Sequence, residues 1–185
     1  MIMEIYADQT ENMTHNDIEG FEKVVDLYKN RIYNFSLNLI GSREDAEELT
    51  SDVFYKFYRS MERFQNRSSV KTYLFSIARN CCIDHLRKNK HKTVSLEDAK
   101  EQAFIQKDVS EKIVSDEKKR VVLDAIKKLD IDHKEALILR ELEELTYEEI
   151  SGILKININT AKTRVRRAKE KLMESLSKTG GDLNG

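Results

Sequence analysis

Apolar residues recur along this chain at spacings of three and four, with almost no strict alternation, and that pattern predicts helices and next to no sheet. The first stripe is Phe21, Val24, Val25, Tyr28, Ile32, Phe35 and Leu39, a helix from about Phe21 to Ile40. Gly41 ends it, and Ser42 is placed to cap a second helix from about Arg43 to Arg63. That helix has Ala46, Leu49, Val53, Phe54, Phe57 and Met61 on its buried side. A polar loop, FQNRSS at 64–69, leads to a third helix from about Val70 to Lys90. Residues 93–116 mix charge with weak periodicity and read as a flexible tether. Beyond them Val121, Val122, Ala125, Ile126 and Leu129 form another stripe, and a helix from about His133 to Glu143 follows.

Residues 147–171, YEEISGILKININTAKTRVRRAKEK, carry the strongest chemical signal. Thr146 with Glu149 forms a capping box for a short acidic helix that has Ile150, Ile153 and Leu154 to bury. The turn is Leu154-Lys155-Ile156-Asn157, and Asn157 can cap a second helix. Its apolar stripe is Ile158, Ala161, Val165, Ala168 and Leu172. This pattern reads as a helix-turn-helix whose second helix enters a DNA major groove. Asn159, Thr160, Lys162, Thr163 and Arg164 lie near the start of that helix, where side chains reach base edges. Arg166, Arg167, Lys169 and Lys171 come later and suit phosphate neutralisation. On this reading, Arg164→Ala weakens recognition of the DNA site more than docking to a core protein partner.

Composition narrows the classes. The 185 residues are 35% charged and contain no proline, a helix-rich profile sufficient for one ordinary domain or two small ones. Net charge is −1, but it is unevenly distributed: the first twenty residues hold five acids and no Lys or Arg, whereas the last helix is strongly basic. Opposed patches suggest DNA at one surface and a protein partner at another. No run approaches the roughly 18 to 20 apolar residues of a membrane span, and a secretory leader pattern is missing, so a cytoplasmic protein is expected. Adjacent Cys81 and Cys82 read as small core residues, and a zinc site using Cys82 and His85 lacks two further ligands.

In the first half, an acidic helix start (Glu44, Asp45, Glu47, Glu48, Asp52) precedes an aromatic-to-basic run, VKTYLFSIARNCCIDHLRKNK. Rings beside cations suit unpaired bases and their phosphates. REDAEELTSDVFYKFYRS, KTYLFSIARNCCIDHLRKNK, LRELEELTYEEISGIL and NTAKTRVRRAKEKL occur in that order, and with them the chain resembles an RNA polymerase sigma factor of the extracytoplasmic function (ECF) class across about residues 19–177.

The resemblance implies an all-α fold of two small helical domains joined by a flexible linker. The layout is an acidic tail at 1–18, a sigma region 2 domain at 19–92, a linker at 93–116, a sigma region 4 domain at 117–178 and a tail at 179–185. It implies a protein that is not an enzyme, needs no metal or cofactor, binds bacterial core RNA polymerase and helps open promoter DNA. Contact with core polymerase, through the beta-prime coiled coil and the beta subunit, is expected at Asp45, Glu48, Leu49, Asp52 and Phe54. The minus-ten element is expected at Phe64, Tyr73, Arg79, Asn80, Arg87 and Lys88, with Asn80 selecting a flipped base. The minus-thirty-five element is expected at Asn159, Thr160, Lys162, Thr163, Arg164, Arg166 and Arg167. Regulation is expected from a separate anti-sigma factor.

Three positions depart from the family's habit: Leu129-Asp130 replaces Leu-Pro, Lys155 stands where glycine is common in the turn, and Tyr73 replaces a tryptophan. A stand-alone dimeric regulator would account for the helix-turn-helix alone, and a cysteine-based sensor would rest on Cys81 and Cys82 alone. An enzyme lacks a phosphate loop, a metal cluster or a nucleophile–base pair.

Overall fold

A computed structural model describes residues 18–61, 68–90, 122 and 125–180. Residues 1–17 and 181–185 of the tails, the 93–116 linker, Phe64 and Val121 lie outside the described residues. Two compact units are present, one within Met1–Ala103 and the other within Phe104–Gly185. The described residues contain helices and connecting turns and no strand.

The first unit comprises α1 (Ile18–Ile40), α2 (Arg43–Ser60) and α3 (Val70–Lys90), each packed on the other two. Gly41 takes φ +84°, the left-handed conformation that ends α1 cheaply only without a Cβ. Ser42 then caps α2 by accepting from the Asp45 N–H at 3.3 Å. Ser69 caps α3, accepting from Thr72 N–H at 3.1 Å. The predicted stripes supply the core: Val24, Ile32, Phe35, Val53, Phe57, Leu74, Phe75 and Ala78 are buried. Phe35 and Phe75 meet edge to face with centroids 5.4 Å apart. Each fully buried large side chain contributes on the order of 1.5–3 kcal/mol. Cys81 and Cys82 are buried in this core and form no disulfide, as expected of small apolar residues in a helix.

The second unit comprises α4 (Ile131–Glu141), α5 (Tyr147–Leu154) and α6 (Ile158–Gly180), preceded by helical residues 125–127. α4 starts two residues earlier than its apolar pattern indicates, because Asp130 is its N-cap and accepts from His133 N–H at 3.2 Å. Leu139, Leu145, Ile150, Ile153, Ala161 and Val165 fill the centre, and Ile126, Leu129, Leu137 and Ala168 form a second cluster with Leu172 against it. Two expected stripe members are out of the core: Val122 and Ile158 are each 37% exposed. Ile158 opens α6, and helical side chains lean towards the N-terminus, so it projects past the stripe that Ala161 begins.

Candidate nucleic-acid and partner interfaces

The α5–turn–α6 unit is built as its sequence predicts. Thr146 and Glu149 form a reciprocal capping box, with Thr146 N–H donating to Glu149 Oε2 at 2.8 Å and Glu149 N–H to Thr146 Oγ1 at 3.2 Å. Lys155 adopts φ 55°, ψ 46°, the left-handed geometry its turn position demands. The Ser151 hydroxyl locks the same turn by donating to the Ile156 carbonyl at 2.6 Å, a role with no signal in the apolar pattern. Asn157 Oδ1 then accepts from Thr160 N–H at 2.8 Å and starts α6.

This geometry turns one side of α6 outwards. Asn159, Lys162, Arg166 and Arg167 are exposed, and Thr160 and Thr163 are half-buried beside them. The Lys162 ammonium lies 5.7 Å from the Tyr147 ring centroid, and the Arg140 guanidinium lies 4.8 Å from the same centroid. An open cleft of about 600 Å³ flanks the start of α6. Asp132 and His133 of α4 line one part of it; Asn157, Asn159, Thr160, Thr163, Arg164 and Arg167 line the rest. Apart from the Asp132 carboxylate, which Arg164 engages, the cleft is lined by cations, hydroxyls, amides and an imidazole, and this lining beside a helix start suits an anionic backbone and adjoining polar edges.

Arg164 behaves differently from its neighbours. Its side chain is 21% exposed, donates to Asp132 Oδ2 at 2.9 Å and lies 3.5 Å from Oε1 of the fully buried Glu135. The later cations are also engaged within the unit: Lys169 pairs with Glu141 at 2.9 Å, Lys171 with Asp130 at 2.7 Å, and Arg166 with Glu170. Partial burial raises the Asp130 carboxyl, but hydrogen bonds from Lys171 and His133 outweigh it and hold the group well below the usual carboxylate range.

On α2, Glu44, Glu47, Glu48 and Asp52 are exposed and Asp45 is half-buried. Leu49 and Phe54, expected at a partner contact, are buried in the bundle instead. They belong to the apolar stripe of α2, and the bundle covers all but a small part of each. The exposed aromatics on this helix are Tyr55, at 63%, and Tyr58, at 41%. Nothing in the sequence separated them from Phe54 and Phe57 except their register one residue off the buried stripe.

On α3, Tyr73 and Arg79 are half-buried, while Asn80, Arg87 and Lys88 are exposed. Tyr73, Asn80 and Arg87 recur every seven residues, so the helix brings them to one side. Arg87 has Asp84 at 3.9 Å. Polar contacts also join α2 to α3: His85 Nε2 lies 3.4 Å from Asp45 Oδ2, and Lys56 Nζ donates to Cys81 Sγ at 3.1 Å. The hydrogen bond to Cys81 raises the Lys56 ammonium above its ordinary value, against a smaller opposing effect of burial. Cys82 is buried in the core, and His85 is directed at Asp45 and Asn89. Among the described residues, no helix is long and apolar enough to cross a membrane.

Known families match both units. Sigma-70 region 2 matches residues 24–92, and Sigma-70 region 4 matches residues 119–172. The chain is similar to the ECF RNA polymerase sigma-E factor of Haemophilus influenzae, with 32% identity over 169 residues that cover 86% of this chain and 89% of that protein. It is also similar to the ECF RNA polymerase sigma factor SigW of Bacillus subtilis, with 29% identity over 169 residues covering 86% and 90%. Among solved structures it is similar to the sigma factor RpoE in complex with the anti-sigma factor NepR from Bartonella quintana. That match has a TM-score of 0.68 and 25% identity, covering 86% of this chain and 98% of that one. CnrH, solved with the cytosolic domain of CnrY, shares the fold at a TM-score of 0.67 and 16% identity.

Proposed function

Because the chain belongs to the ECF RNA polymerase sigma factors, we propose that its exposed faces divide the steps of promoter-specific initiation among named side chains. Its function is to direct RNA polymerase to promoters and initiate transcription there. It acts by binding rather than by catalysis, in the cytoplasm, with a region 2 domain at 19–92 and a region 4 domain at 117–178.

The observation that carries the assignment is the contrast in exposed chemistry between α2 and α6. The acids Asp45, Glu48 and Asp52 precede exposed Tyr55 at three- and four-residue spacing along one side of α2, which suits a basic-and-apolar protein surface such as the beta-prime coiled coil. Lys162, Thr163, Arg166 and Arg167 on α6 suit the minus-thirty-five duplex, with Asn159 and Thr160 at its leading edge. Tyr73, Asn80 and Arg87 on one side of α3, with Arg79 and Lys88 beside them and Phe64 in the preceding loop, suit the unpaired minus-ten strand. A separate anti-sigma factor is the expected regulator, in keeping with the similarity to RpoE solved with NepR.

Co-elution of the purified protein with bacterial core RNA polymerase, without DNA, tests the docking assignment. One-to-one binding is expected, and neutralising Asp45, Glu48 and Asp52 together should weaken it by at least about tenfold. Undiminished binding by the neutralised variant would remove the acidic face from the docking surface.

A further inference from the structure

Arg164 sits in the middle of the basic stretch of α6, yet its guanidinium turns back into its own unit. It reaches exposed Asp132 and, beneath it, Glu135, a carboxylate with no exposure at all. A buried acid is costly unless a cation is held against it, so the position of Arg164 is dictated from inside the unit. The other ion pairs between α4 and α6, Lys169 with Glu141 and Lys171 with Asp130, are about half exposed and contribute little rigidity.

We infer that Arg164 is a positioning residue and not a DNA ligand: the clamp of Glu135 and Asp132 on its guanidinium sets the rotation of α6 about its own axis, and so decides which side chains meet base edges. The inference rests on the reading of α6 as the DNA-reading helix. The magnitudes support it. Side-chain tips lie about 5–6 Å from a helix axis, so a rotation of about 20° moves them by about 2 Å. That displacement is enough to break a base-edge hydrogen bond. Lys162, Thr163 and Arg167 lie on the same two turns as Arg164 and would all be carried with it.

The test uses the full-length chain and short duplexes of randomised sequence. Two quantities are read: the slope of log affinity against log salt, and the enrichment of preferred sequences after selection. The variants are Glu135→Leu and the charge-neutral pair Glu135→Leu with Arg164→Met, which replaces the buried carboxylate and its partly exposed partner by apolar side chains of similar size. Lys162→Ala and Arg167→Ala serve as cation controls, and thermal unfolding reports that each variant folds. The controls should each lower the salt slope by about 0.9. Both clamp variants should keep the parental slope while sequence enrichment falls about tenfold. A slope reduced by about 0.9 in the paired variant makes Arg164 a phosphate contact and overturns the inference. So does unchanged enrichment in Glu135→Leu, which retains Arg164 and leaves it able to turn to solvent if the paired variant does not fold. If the two controls leave the slope unchanged, α6 is not the DNA face, and the underlying reading fails together with the inference.

Discussion

At the scale of single residues, Asp130 shows how one carboxylate can replace a backbone restraint. Sigma factors of this class usually carry Leu-Pro here, and proline favours a helix start by presetting φ. In this chain Asp130 caps α4 with its side chain and also holds Lys171 and His133. Its pKa in the folded protein is depressed below the ordinary value of 3.8, the hydrogen bonds outweighing the opposing effect of partial burial. A group depressed on folding adds stability above its unfolded pKa and loses it as the pH falls through and below that value. Asp130→Ala should therefore cost about 1 kcal/mol at pH 7, with the difference from the parent narrowing below about pH 4. Urea unfolding of both proteins across that range measures it; a difference that stays constant with pH would mean that the charge of Asp130 contributes nothing. The carboxylate is about half exposed, so solvent screens its ion pairs, and the cap accounts for most of the effect.

At the scale of elements, α5 is eight residues long and too short to persist unaided, so its two ends and its packing hold it. The capping box fixes its start, and the left-handed Lys155 with the Ser151 hydroxyl fixes its end. Gly152 is the weak point of its interior. It is exposed, and a Cβ built there meets nothing within 4 Å. Gly152→Ala should raise stability by about 0.5–1 kcal/mol by reducing the freedom of the unfolded chain. A change in denaturation midpoint at constant denaturant slope would show it, and a destabilised variant would mean that the backbone there is more strained than its helical geometry indicates. On α2 the same periodic logic separates neighbours by function: Phe54 and Phe57 face the bundle, and Tyr55 faces solvent.

At the scale of the whole molecule, a net charge of −1 conceals a division of labour between two units, an acidic and aromatic face on one and a basic face on the other. Polymerase docking and duplex reading should then be separable by mutation. Tyr55→Ala should weaken binding to core polymerase about tenfold, as the loss of an exposed aromatic anchor does at many interfaces. Stability and the sequence preference for duplex DNA should stay at parental values. Competition against the parent for limiting core enzyme measures the first effect, and equal competition would exclude Tyr55 from the interface.

The sequence by itself determined the helical class, the apolar stripes of α1 and α2, the capping box at Thr146 and the cap at Asn157. Each of these depends on residues within about four positions of one another, and periodicity and turn chemistry operate at that range. The ordered motifs of an ECF sigma factor were legible for the same reason, since each is a short local stretch of one or two helices with its own surface chemistry. Only the tertiary structure decided which polar and aromatic side chains are available. Arg164 is drawn inwards by Glu135, 29 positions earlier in the chain, a pairing that no local pattern encodes. Leu49 and Phe54 are buried while Tyr55 is left outside, and Ile158, in the first turn of α6, is 37% exposed although it shares the spacing of the buried stripe. Spacing along a helix says which residues share a side; burial depends on what another helix brings against that side, and that is settled only when the units are packed.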